Sequence, residues 1–198
     1  MSVRLFVSVG TDHHPFGRLI GWVDRWAQEH PDVDLVVQHG SSPASTVGVN
    51  HHMMTGDELT AHYGAADIVV SQVGPGTIAD ANAAGVRPIV VPRDPALGEV
   101  VDDHQSAFGD FMAARERCIV VRDEKDLRRT LDRTLADPGS VHFDAEAGAA
   151  SASTAVAELA QRIVAAPRRR VSLRALRAMA RRTPDDEGAA GANEGTTT

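Results

Sequence analysis

Over the first 136 residues, short β-branched runs alternate with segments of helical periodicity, and no other feature constrains the fold as strongly. Such alternation builds parallel strands, because each crossover must return the chain to the same end of the sheet through an element as long as a helix. Strands are expected at 3 to 9, 33 to 38, 47 to 54, 68 to 71, 88 to 91 and 119 to 121. A first helix is expected from Pro15, with Phe16, Leu19, Ile20, Val23, Trp26 and Ala27 on one face and His30-Pro31 at its end. A capping box of Thr55 and Glu58 starts a second, and further helices are expected over 76 to 84, stopped by Gly85, over 99 to 114 and over 124 to 136. The expected fold class is α/β, a Rossmann-like doubly wound parallel sheet.

With 198 residues, 42% of them hydrophobic, the chain can bury one substantial core but not a second full domain. The domain is placed at 1 to 166, followed by a basic amphipathic segment at 167 to 182 and a disordered tail at 183 to 198. Within the domain, the Ala- and Ser-rich stretch after Pro138-Gly139 leads into a helical pattern at 153 to 165. In the basic segment Arg170, Arg174, Arg177 and Arg181 share one helical stripe, and Leu173, Leu176 and Ala180 another. That pattern suits docking on anionic lipid or on a partner, and equally suits a solvated tail. The tail offers no bulky apolar side chain to offset its ordering entropy. A net charge of -7 argues against nucleic-acid binding. The single cysteine, Cys118, opens an apolar run and reads as a buried structural thiol. No eighteen-residue apolar stretch and no signal-peptide pattern occurs, so a soluble cytoplasmic protein is expected.

In an open parallel sheet, ligands bind at the carboxyl ends of the strands, where glycine admits close backbone approach and helix N-termini offer N–H groups to phosphate. Two junctions have that character: Val9-Gly10-Thr11, and Ser71-Gln72-Val73-Gly74-Pro75-Gly76-Thr77. A nicotinamide dinucleotide site would need GxGxxG at the first junction and an acid at the end of the second strand, where Gln38-His39 stands instead. No P-loop pattern is present. The pairs His13-His14 and His51-His52 invite a metal reading, but neighbouring side chains of a strand point to opposite faces, and neither CxxC nor HExxH occurs. No metal site is therefore expected.

Residues 66 to 105, ADIVVSQVGPGTIADANAAGVRPIVVPRDPALGEVVDDHQ, together with Phe6-Val7-Ser8-Val9-Gly10-Thr11, resemble the donor-binding half of glycosyltransferase family 28. Within it the likeness is to the small soluble subunit of two-part UDP-N-acetylglucosamine transferases, including those of bacterial exopolysaccharide pathways, and it covers roughly residues 3 to 136. The resemblance implies one half of a GT-B architecture with no cofactor beyond the substrate, a UDP-sugar. It places Gly74, Gly76 and Thr77 against the diphosphate and Gly10 and Thr11 in the first loop, although Asp12-His13-His14 departs from the family's run there. Asp80 stands where the family has a glutamate for the ribose hydroxyls, one methylene shorter; it reads alternatively as an acid favoured by the helix dipole. Asp103, His104 and Gln105 match a D-x-Q triplet that contacts the donor sugar, or form an ordinary solvated helix face. The implied function is transfer of N-acetylglucosamine or a related hexose to a lipid-linked acceptor at the cytoplasmic membrane face. A membrane-associated acceptor-binding subunit would supply the catalytic base. A UDP-sugar 2-epimerase and a non-catalytic nucleotide-sugar-binding protein are the alternatives.

Overall fold

The structure, a computed structural model, describes residues 2 to 101 and 104 to 143. Six parallel strands form one sheet: β1 Arg4–Ser8, β2 Asp34–Gln38, β3 Val49–His51, β4 Ile68–Gln72, β5 Ile89–Val91 and β6 Ile119–Val120. Their order across the sheet is β3-β2-β1-β4-β5-β6. The order reverses between β1 and β4, which pair directly from Leu5 opposite Ile68 to Ser8 opposite Ser71. The chain therefore leaves the carboxyl ends of these two neighbours in opposite directions, opening a crevice between them.

Five helices cover the sheet: α1 Gly17–Gln28, α2 Gly56–Ala65, α3 Pro75–Ala83, α4 His104–Ala113 and α5 Glu124–Ala136. Alternate residues of each inner strand serve opposite faces, and both faces are dry. Leu5, Val7, Leu35, Val37, Ile68 and Val70 join α1 and α5 in one core layer built around Leu19, Trp26, Leu127 and Leu131. Phe6, Val36 and Val69 pack on the other side with Tyr63 of α2 and Ala81 of α3. Val90 meets Ile78 of α3 and Met112 of α4 in a third cluster that includes Cys118. The buried, apolar setting predicted for this thiol is thus observed, and burial pushes it up to about 12.

Local chemistry sets the helix starts. Thr55 and Glu58 form the reciprocal capping box read from the sequence, and the Asp123 side chain accepts from the Asp126 N–H at the head of α5. Two expectations shift. The third strand is only Val49–His51; just before it Gly48 lies close against Leu35, where a Cβ would stand 2.6 Å from Cγ. The helix expected from Glu99 begins at His104. Before it, Asp94 caps a 3-10 turn, Pro95–Leu97, that Gly98 ends in the left-handed region at φ +69°. The Glu99 carboxylate is buried and grips Arg18 at 2.9 and 2.7 Å. The helical pattern at 153 to 165, the basic segment and the tail lie outside the described residues.

The α1–α5 face separates two kinds of contribution. Leu127 is fully enclosed, whereas Arg128 pairs with Glu29 at the surface, 2.5 Å apart. Leu127→Ala is expected to lower the unfolding free energy by about 2–5 kcal/mol. Arg128→Ala should leave the urea midpoint unchanged within error, since exposed pairs add little.

Candidate functional site

At the β1/β4 crevice lies a cavity of about 320 Å³. Gly10 and Thr11 of the first loop line it, with Gly74, Gly76, Thr77 and Asp80 from the second junction. Six of the nine residues singled out from the sequence thus meet in one place. Ser8, Gln38 and Gln72 form its floor at the strand ends, and Met54, Leu59 and Tyr63 form the wall on the α2 side.

The first loop is fixed by the ends of three strands. Gln38, buried at the end of β2, accepts from Ser8 Oγ (2.8 Å) and from the Gly10 N–H (3.2 Å), and its Nε2 donates to the Gly10 carbonyl (3.1 Å). Gly10 itself takes φ +77°, and a Cβ on it would stand 2.1 Å from Gln72 Nε2. Only glycine satisfies both constraints.

The second junction is built differently from the side-chain-capped starts of α2 and α5. Gly74 occupies the N-cap of α3 without a side-chain cap, and Pro75 at the first turn carries no N–H. The amides of Gly76 and Thr77 are therefore uncapped at the positive end of the helix dipole. A Cβ on Gly76 would meet nothing within 4 Å, so packing within the chain does not require glycine there. One turn on, Asp80 shares the cavity with Tyr63, whose phenol burial pushes up to about 12, with the Asp80 carboxylate adding to the rise and the Ser8 and Thr77 hydroxyls opposing it.

Arg93, which the sequence reading passed over, ties these pieces together. It is 2% exposed. Its guanidinium donates to Gln72 Oε1 (2.7 Å) and to the carbonyls of Val9 (2.9 Å), His14 (2.8 Å) and Glu99 (3.0 Å), and it lies over the Phe16 ring at 4.7 Å. Gln105 Oε1 accepts from the Arg93 backbone N–H at 3.1 Å. His104 and Gln105 thus stand at the start of α4 and are not among the cavity-lining residues; Asp103 lies outside the described residues. A polar residue closing an apolar strand, as at Ser8, Gln38 and Gln72, was a signal available in the sequence. For Arg93, Met54 and Leu59 there was none, because their roles arise from packing.

The histidine pairs divide. His51 and His52 do point apart, toward His62 (ring centroids 5.6 Å) and His39 (5.5 Å). His13 and His14 do not: they lie in the loop between β1 and α1, where strand alternation does not apply, and their ring centroids are 3.9 Å apart. Asp12 joins them, and one ligand atom from each residue lies within 4.8 Å of the others. The reason given for excluding a chelate there is therefore corrected.

The sheet order and the crevice at its switch point define a Rossmann-like unit of the kind that forms one half of GT-B enzymes. The model of the Glycosyltransferase family 28 C-terminal domain matches residues 4–163, and the chain belongs to that family. It is 32% identical over 85 residues to the UDP-N-acetylglucosamine--N-acetylmuramyl-(pentapeptide) pyrophosphoryl-undecaprenol N-acetylglucosamine transferase of Xanthomonas campestris pv. campestris (strain 8004), an alignment covering 41% of this chain and 19% of that protein. The chain thus spans about a fifth of the length of the curated relative it matches. Among solved structures, Acinetobacter baumannii MurG superposes with a TM-score of 0.53 at 15% identity over 77% of this chain and 46% of that one. The glycotransferase of kitacinnamycin gives 0.53 at 19%, over 81% and 39%. Both share the fold.

Two outcomes follow from this geometry. Arg93→Met leaves the carbonyls of Val9, His14 and Glu99 without their donor and is expected to cost about 2 kcal/mol or more in a denaturant titration. The chain has one tyrosine, so ultraviolet titration reads Tyr63 alone. Its ionisation should occur near 12 in the folded protein and near 10 in urea. The neutral phenol is favoured in the folded state, so stability should hold up to about pH 10 and fall as pH rises toward 12.

Proposed function

We propose that this chain is the donor-binding part of a glycosyltransferase, holding a UDP-sugar in the β1/β4 crevice while a second unit supplies the acceptor site. The observation that carries this reading is the convergence of Gly10, Thr11, Gly74, Gly76, Thr77 and Asp80 on one cavity at the switch point. The diphosphate lies against the Gly76 and Thr77 amides, where a helix N-terminus meets the charge that grows on UDP as the glycosidic bond breaks. Asp80, one turn further on, accepts from the ribose hydroxyls. The donor sugar extends toward the start of α4, where Gln105 Oε1 accepts from the Arg93 backbone N–H.

The relative's printed name supports N-acetylglucosamine as the sugar and a lipid-linked acceptor. Its greater length supports a second unit, in the same chain or in a partner, that brings the acceptor and the base. Among the described residues no helix is long and apolar enough to cross a membrane, so membrane association on this reading comes through that second unit, at the cytoplasmic face. Positioning and electrostatic stabilisation are then what this chain contributes to the rate.

Calorimetric titration tests the reading. UDP and UDP-N-acetylglucosamine should bind and NAD should not. Gly76→Val fills open space in the site, so it should abolish binding with an unchanged melting temperature. Asp80→Ala should weaken binding about tenfold, the loss of roughly 1.4 kcal/mol of hydrogen bonding to the ribose. Absence of UDP binding by the unmodified chain, alone and with the acceptor unit present, would overturn the proposal.

A further inference from the structure

The loop between β1 and α1 gathers three groups of metal-ligating chemistry on consecutive residues. His14 Nδ1 stands 2.8 Å from Asp12 Oδ1, and His13 Nδ1 stands 3.5 Å from the same oxygen. In a tetrahedral zinc site with bonds of about 2.0–2.1 Å, ligand atoms lie about 3.3–3.4 Å apart. The two separations from Asp12 Oδ1 bracket that value, and all three ligand atoms lie within 4.8 Å of one another. Nothing comparable is formed by His51 and His52, which face different neighbours.

The backbone beneath these side chains is held in place. Arg93 binds the carbonyls of Val9 and His14 on either side of the cluster. The Phe16 N–H donates to Ser42 Oγ at 2.7 Å, and the His14 N–H donates to Asp12 Oδ1 at 2.8 Å. The side chains remain accessible: His13 is 85% exposed, Asp12 32% and His14 25%.

We infer that Asp12, His13 and His14 form a binding site for a divalent transition-metal ion of the zinc class, at the rim of the β1/β4 cavity. Two imidazoles and one carboxylate select such ions over calcium or magnesium, which prefer oxygen ligands throughout. Three protein ligands leave at least one coordination position open. Asp12 directly follows Thr11, which lines the cavity, and the metal site stands independently of the proposed nucleotide-sugar function.

The test is titration of the full chain with Co2+, read by its visible ligand-field absorption, followed by displacement with Zn2+. One ion per chain is expected. His13→Ala, His14→Ala and Asp12→Asn should each weaken binding by about tenfold or more, the loss that removal of even an outer-sphere partner brings. The double variant His51→Ala/His52→Ala should bind as the unmodified chain does. His13 is too exposed for its removal to unfold the loop, so a failed fold cannot mimic that result. Absence of saturable binding, binding indifferent to the three substitutions, or binding lost in the His51/His52 variant overturns the site. Metal binding without any UDP binding would count against the proposed function and leave the metal site supported.

Discussion

Arg93 is enclosed almost completely, yet among the described residues no carboxylate pairs with its guanidinium; the nearby Glu99 carboxylate is committed to Arg18 and to the Asp94 N–H instead. Enclosing an unpaired charge is costly unless every donor finds an acceptor. Here the charge is spread over the oxygens of Val9, His14, Gln72 and Glu99 and the face of Phe16. Those acceptors belong to the first loop, the end of β4, the segment after β5 and the entrance to α1. Moving any one of them strands part of the guanidinium in a medium of low dielectric, so the loops at the carboxyl edge hold one another in place. The cavity walls inherit that rigidity.

Around this anchor the helix starts are handled in two ways. At α2 and α5 the first amides are met by a capping side chain, from Thr55 and from Asp123. At α3, which faces the cavity, they are not: glycine takes the cap position and proline the first turn. Glycine in place of a capping side chain gives up about 0.3 kcal/mol of local stability. It also leaves oriented N–H groups where an anion can reach them, beside a Gly76 that no packing contact explains. The neutral, buried Tyr63 phenol lies next to Asp80 in the same cavity, so that carboxylate has a polar hydroxyl rather than a second charge for a neighbour.

Much of the fold was legible because it rests on local rules. Strand alternation, the Thr55–Glu58 capping box and the extent of α5 are properties of neighbouring residues, and they were read correctly. So was the meeting of both glycine junctions, since a parallel sheet brings the carboxyl ends of neighbouring strands together. Errors arose where a distant contact overrode local pattern. Glu99 looked like the start of a helix until Arg18, far away in the chain, drew its carboxylate inward. His13-His14 was judged by strand geometry although the chain had already left β1 for a loop.

The amino-acid sequence by itself determined the α/β class, the parallel pairing and the two glycine junctions at strand ends, because periodicity, caps and glycine act over a few residues. Only the tertiary structure decided that Gln38 clasps Gly10, that Arg93 knits four segments together, and that Asp12, His13 and His14 face one another. Each of these depends on groups brought close by the sheet order, and hydrogen bonds and charges act over a few ångströms of space whatever the distance along the chain.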